Sequence, residues 1–388
     1  FDFSLAPTVQ CGTPLTKDGL LSMGAVKLFQ DGSLQGYTGY LSNPYHSLPD
    51  AISDGSWRGY PIYNPRELAN IVTRYHEEGW QVAIHGNGDA GIEDILNAFE
   101  EAQKAYPRAN ARHIIIHCQT VREDQLDRIE RLGVVPSFFT VHTYYWGDRH
   151  RDIFLGKARA SRIDPLRSAL KRGIPFTSHN DTSVTPMDPL LSVWSAVNRL
   201  TGSGKVLGED QTVSVLDALK SVTIWGAYQF HEERMKGSLE PGKLADMVIL
   251  GENPLEIAPE RIRDIPVLAT LVGNLPVMSP SPTHRAKDDP PSPARCDLGF
   301  PRRHTRPFLR AAAGGTNLHI RTPAQSIQAG VLIWRKDRGR RSIRPPSSRN
   351  RDAAQNRHTG TYACRPISYA SFRAGLSLIS PFFHAPDP

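Results

Sequence analysis

A chain of 388 residues is long enough for one large domain or two ordinary ones with an ample core. No apolar run reaches the length of a bilayer span, which argues against a membrane-spanning helix. The net charge of +7 is unevenly spread, because residues 279–388 hold 17 Arg and 2 Lys against 6 Asp and no Glu, so the part before them is acidic.

The chain opens on Phe1 with no basic, then apolar, leader, so residues 1–23 read as the lead-in of a fragment or processed chain. "GAVKLFQDGSL" then gives a strand over Ala25–Phe29 with Lys27 inside it. "GYTGYLSNPY" is rich in Gly and Tyr and reads as a loop on the substrate side. "QVAIHGNGDAGIEDI" runs a strand into His85, turns over Gly86–Asp89, and starts a helix with Ile92, Ile95, Leu96 and Phe99 on one face. "IIIH" ends a strand on His117, and "REDQLDRIERLG" places Leu126, Ile129 and Leu132 in helical phase. "GVVPSFF" is a strand, "DPLRSALKRG" a helix closing on Gly173, and "IPFTSHND" a strand reaching Asp181. This alternation predicts βαβ units and a parallel sheet.

Beyond Met278 the rhythm stops. Residues 279–388 hold 14 of the 31 prolines, and a disordered or non-native extension without persistent helix or sheet is expected there. The alternative is a basic nucleic-acid-binding arm. Cys11, Cys118, Cys296 and Cys364 form no CxxC pair, which suits a reducing, cytoplasmic setting, and Cys118 reads as a small buried hydrophobe.

Lys27, His85, His117 and Asp181 all fall in or at the end of separate predicted strands. Each has an ordinary explanation: Lys27 could snorkel out of the sheet, Asp181 could cap a helix, and either histidine could serve structure alone. Together, in register with one βα repeat, they point to a site at the C-terminal rim of a parallel barrel. Two imidazoles and a carboxylate suit a divalent ion such as zinc. Burial lowers the pKa of a lysine, and a neutral Lys27 amine could take up carbon dioxide to give a bridging carbamate ligand.

These stretches, with "PSFFTVHTYYWGDRHRDIFLG", "HNDTSVTPMDPLLSVWSAVNR" and "KGSLEPGKLADMVILGENPLEI", resemble the family-3 branch of the amidohydrolase superfamily, the group of N-substituted formamide deformylase-like enzymes. The resemblance implies the C-terminal part of a metal-dependent TIM (β/α) barrel, strands four to eight, over residues 24–236. It also implies the return strands of a small β-sandwich over 237–278, with Gly242 and Asp246 in their turns. It places the metal ligands on Lys27, His85, His117 and Asp181, and implies hydrolysis of a non-peptide carbon–nitrogen bond in a small-molecule amide. Asp181 would be the general base and His142 would polarise or position the substrate. Tyr144, Tyr145 and Trp146 could wall the pocket or simply pack barrel against helix. His150 and His179 are expected to be non-ligands, and a homo-oligomer is compatible with the reading.

The chain departs from the family in having no His-x-His pair, in Ile116 where Glu usually stands, and in Thr182 and Ser183 where a small residue and proline usually follow the aspartate. With strands one to three missing from the pattern, an open-edged barrel and weak or no activity are expected.

Overall fold

The main sheet consists of five parallel strands: β1 (Val26–Phe29), β2 (Val82–Gly86), β3 (Ile114–His117), β4 (Val135–Phe138) and β5 (Thr177–Ser178). They pair in chain order, so the sheet grows by one strand per repeat, and β1 and β5 are its edges among the described residues. The computed structural model describes residues 12–17, 19, 21–277 and, for the backbone only, 278 and 331–334. All of them belong to one unit spanning Phe1–Asp337.

Parallel neighbours need a crossover, and helices supply it. α1 (Pro65–Glu77) starts where Asn64 accepts a hydrogen bond from the Glu67 amide at 2.9 Å. α2 (Asp89–Ala105) buries Ile92, Ile95, Leu96 and Phe99 completely, the stripe expected from their spacing. Each such side chain contributes roughly 1.5–3 kcal/mol when fully buried. α3 (Glu123–Leu132) buries Leu126 and Ile129 and stops at Gly133, whose φ of 62° suits glycine. α4 (His142–Arg149), α5 (Gly156–Ala160) and α6 (Leu166–Lys171) lead to β5, and α7 (Pro189–Asn198), α8 (Val215–Ser221) and α9 (Ile224–Gln229) follow it. The α/β reading of the sequence therefore matches the molecule.

Two expectations change. The strand expected through Asp181 is regular only at Thr177–Ser178, with one further bond from the His179 amide to the Phe138 carbonyl. Pro175 lacks the amide needed for an earlier ladder bond. The second change lies in the basic tail, where Val331–Trp334 forms β9 although no regular structure was expected. The run Val-Leu-Ile-Trp has the residue types that strands favour. The rest of 279–388 lies outside the described residues.

β9 joins a second sheet in the order β8-β7-β6-β9, with β6 (Met247–Leu250), β7 (Val267–Val272) and β8 (Leu275–Met278) antiparallel and β9 parallel to β6. Gly242 takes a φ of 91° in the turn before β6, and Asp246 Oδ1 accepts the Gly273 amide at 2.8 Å, closing the β7–β8 turn.

A buried relay ties α1 to the sheet. The Val82 amide donates to His113 Nδ1 at 3.0 Å, so His113 Nε2–H donates to His76 Nδ1 at 2.8 Å, and His76 Nε2–H donates to the Tyr106 carbonyl at 2.7 Å. Every ring nitrogen then has one role, and both rings are neutral. Burial first, then the proximity of the titratable His76 and the charge of Arg108, pushes the His113 pKa down to about 3.

A histidine depressed in the folded state stabilises fully above its unfolded pKa, about 6.5, and that stability is lost as pH falls toward the folded value. We predict that His113 alone removes about 2 kcal/mol between pH 7 and pH 5. Urea denaturation of the wild type and His113→Gln at both pH values checks this: the variant should lose about 2 kcal/mol less, and equal losses would contradict the relay.

Candidate metal centre

The strand ends bring histidines together on one rim. The rings of His85 and His117 lie 4.5 Å apart, those of His117 and His179 5.0 Å apart, and those of His117 and His142 5.9 Å apart. Register alone would separate the first two, because His117 pairs with Gly86, one residue past His85. Side chains of successive strand residues point to opposite faces. His117 ends β3 with a φ of 69° and Cys118 follows with 51°, so the left-handed backbone takes the ring out of that alternation.

The turn after His85 explains the glycines around it. A β-carbon on Gly86 would meet Ile95 Cδ1 at 2.6 Å, and one on Gly88 would meet the Tyr40 carbonyl oxygen at 1.9 Å. The first glycine lets α2 lie against β2, and the second lets the loop after β1 close over the turn. In that loop Ser42 bonds to the Asp89 carboxylate through its amide and hydroxyl.

His117, His179 and Asp181 each bring one donor atom within 4.8 Å of the other two. His179 Nε2 faces His117 Nδ1 at 3.3 Å, while His179 Nδ1 is held by Ser137 Oγ at 3.0 Å. A tetrahedral zinc with ligands at about 2.0–2.1 Å holds neighbouring donor atoms about 3.3 Å apart, so the two imidazoles fit one ion. Burial first, then the charges of His85, His179, His142 and Lys27, holds His117 well below the ordinary histidine range. Burial, then His142, Lys27 and His85, takes His179 down to about 3. Neutral imidazoles have the lone pairs that a cation needs. His117 is buried, His179 half-buried and Asp181 exposed, so the group opens to solvent on the carboxylate side.

The other expected residues gather around this triad with different roles. Lys27 is half-buried on β1, its ammonium 4.6 Å from the Phe29 ring centre, and burial pulls its pKa to about 8 against the pull of Asp181. Asp181 caps no helix; it takes a φ of 48° in the turn after β5. His142, buried at the start of α4, packs on Phe139 at 4.3 Å and is held near 3 by burial, with Asp181 opposing. Trp146 lies 5.8 Å from His142. Tyr144 instead packs on Trp194 at 5.3 Å and under the Arg263 guanidinium, so its contacts are those of packing, and Tyr145 stands between Tyr144 and Trp146.

Two residues were not singled out by sequence. His179, set aside as a non-ligand, belongs to the triad; the polar run Thr177-Ser178-His179 after Phe176 was its only signal. Asp31, in what looks like an ordinary Asp-Gly turn, is buried and bonded to His85 Nδ1 at 3.1 Å. His150 stays outside the triad, buried and bonded to Gln119.

The chain resembles known proteins over most of its described length. The model of the Amidohydrolase family matches residues 4–278. YtcJ of Bacillus subtilis (strain 168), named as an amidohydrolase, is 28% identical over 65% of this chain and 46% of its own length. N-substituted formamide deformylase of Arthrobacter pascens is also 28% identical, over 65% of this chain and 45% of its own. The crystal structure of a metal-dependent hydrolase from Pyrococcus horikoshii OT3 superposes with a TM-score of 0.50 at 31% identity, covering 60% of this chain and 45% of that one. The chain thus spans about half the length of the relatives it matches.

A charged Lys27 in this setting costs stability below pH 8, and the cost fades as pH rises from 8 to the ordinary lysine value. We predict that Lys27→Met stabilises the metal-free protein by about 1–3 kcal/mol at pH 7, with a smaller gain at pH 9.5. Urea denaturation at the two pH values measures it, and destabilisation at pH 7 would contradict the prediction.

Proposed function

The chain belongs to the amidohydrolase family, and from that premise we propose that its rim binds one divalent ion, most simply zinc, and hydrolyses a non-peptide carbon–nitrogen bond in a small amide. The observation that carries the reading is the convergence of His117, His179 and Asp181 within 4.8 Å. Three protein ligands with a remaining open position are the usual arrangement of catalytic zinc. Lys27 and His85 stand beside that triad as further donors, the former as an amine or a carbamate.

A bound divalent ion supplies Lewis-acid activation of water and carbonyl. Asp181, exposed at the mouth, is placed to take a proton from the attacking water and to return it to the departing amine. The neutral His142 ring can donate one hydrogen bond to the carbonyl oxygen as negative charge builds on it. Phe139, stacked on His179 at 5.3 Å and packed on His142, keeps both rings in place. Trp146 gives the pocket an apolar wall on the His142 side.

Within this chain the donors are those named, and low turnover is expected of it. N-substituted formamides and aryl amides with added zinc are the substrates to try. We predict measurable turnover that Asp181→Asn lowers by about 100-fold or more and that His179→Ala lowers together with zinc affinity. Turnover indifferent to Asp181 would contradict the mechanism, and turnover indifferent to both substitutions would remove the site.

A further inference from the structure

Asp31 stands two residues past β1, is 1% exposed, and receives donors on both carboxylate oxygens. Oδ1 accepts from His85 Nδ1 at 3.1 Å and from the Asn87 amide at 2.9 Å, and Oδ2 accepts from the Gly88 amide at 2.7 Å and the Tyr40 amide at 3.0 Å. Three of these donors are backbone amides, which cannot reverse their role. A carboxylate so surrounded has only acceptor positions to offer His85, so the proton of the neutral ring sits on Nδ1. Nε2 is then the acceptor atom. The ring lies 4.5 Å from that of His117, and among the described residues Nε2 meets the Asn87 side-chain amide at a long 3.3 Å, the second hydrogen of that amide going to the Gly32 carbonyl at 2.9 Å, so a cation has one weak bond to displace.

We propose that Asp31 is the positioning residue of this rim: it fixes the His85 ring and its tautomer so that Nε2 is presented as a donor atom to a cation held by His117, His179 and Asp181. The inference rests on the metal-binding reading above and adds a residue that touches neither ion nor substrate. The same carboxylate anchors the loop after β1 through Tyr40 and the turn between β2 and α2 through Asn87 and Gly88. One side chain therefore sets the position of the ring and of the two segments beside it. A carboxylate behind a ligating histidine is a common way to raise ligand basicity and to fix ring orientation.

The test is a double-mutant cycle on zinc affinity, measured by competition with a chromophoric chelator, using the wild type, Asp31→Asn, His85→Ala and the double variant. Asp31→Asn should weaken zinc binding about 10- to 100-fold, and its effect should shrink to less than about 3-fold in the His85→Ala background, since coupled residues are not additive. Equal losses in both backgrounds would show that Asp31 serves folding alone and would overturn the proposal. The imidazole 15N spectrum of the metal-free wild type gives a second readout that needs no variant to fold. His85 protonated on Nδ1 supports the proposal; His85 protonated on Nε2 overturns it. If the wild type binds no zinc, the metal reading falls, and the tautomer of His85 still decides the role of Asp31.

Discussion

Parallel pairing in chain order is the constraint on which the rest of this molecule depends. Because each strand is laid beside the last and all run the same way, their C-terminal ends share one rim. Residues far apart in the chain then become neighbours there without any long-range device. His117 and His179, 62 positions apart, face each other at 3.3 Å because β3, β4 and β5 are successive strands. The helices that make the crossovers bury the apolar face of the sheet, with Phe99, Ile115 and Phe138 in one continuous core, so the rim stands on a fixed base.

The rim collects imidazoles that cannot easily charge. Burial holds His117, His142 and His179 low, the neighbouring cationic groups push the same way, and Asp181 opposes them at His142. Around them the polar groups are unevenly satisfied. His142 Nδ1 and both oxygens of buried Asp164 make no hydrogen bond, although Nδ1 and Oδ2 lie 3.7 Å apart. Groups of this kind cost free energy where they stand, and natural folds concentrate such costs at functional sites. The same rim is where the family resemblance and the geometry of the triad coincide.

Much of this was legible in the sequence, for physical reasons. The 3.6-residue stripe of α2 and the alternation of short apolar runs with helices encode the sheet directly. The polar residues that interrupt apolar runs marked two strand ends, at His85 and His117, and one strand interior, at Lys27. His179 was not legible, because its role depends on β5 being only two residues long, with the turn beginning early enough to aim that ring at His117. Asp31 was not legible either, because an aspartate before glycine is the common signature of a turn, and its four donors come from two stretches remote from each other, Tyr40 and His85–Gly88. Tyr144 carried two readings in the sequence, pocket wall or packing, and its contacts with Trp194 and Arg263 are of the packing kind. In the basic tail, composition hid a short run, Val331–Trp334, whose local strand preference differs from that of its surroundings.

The claim at the centre is that one ion sits between two imidazoles and a carboxylate at the ends of β3 and β5. X-ray absorption at the zinc edge of the protein loaded with one equivalent of zinc addresses it most directly. The structure predicts a low-coordinate shell of nitrogen and oxygen at about 2.0–2.1 Å, with outer-shell scattering from at least two imidazoles that weakens in His117→Ala and again in His179→Ala. A six-oxygen shell without imidazole scattering, or a spectrum unchanged by both substitutions, would contradict it.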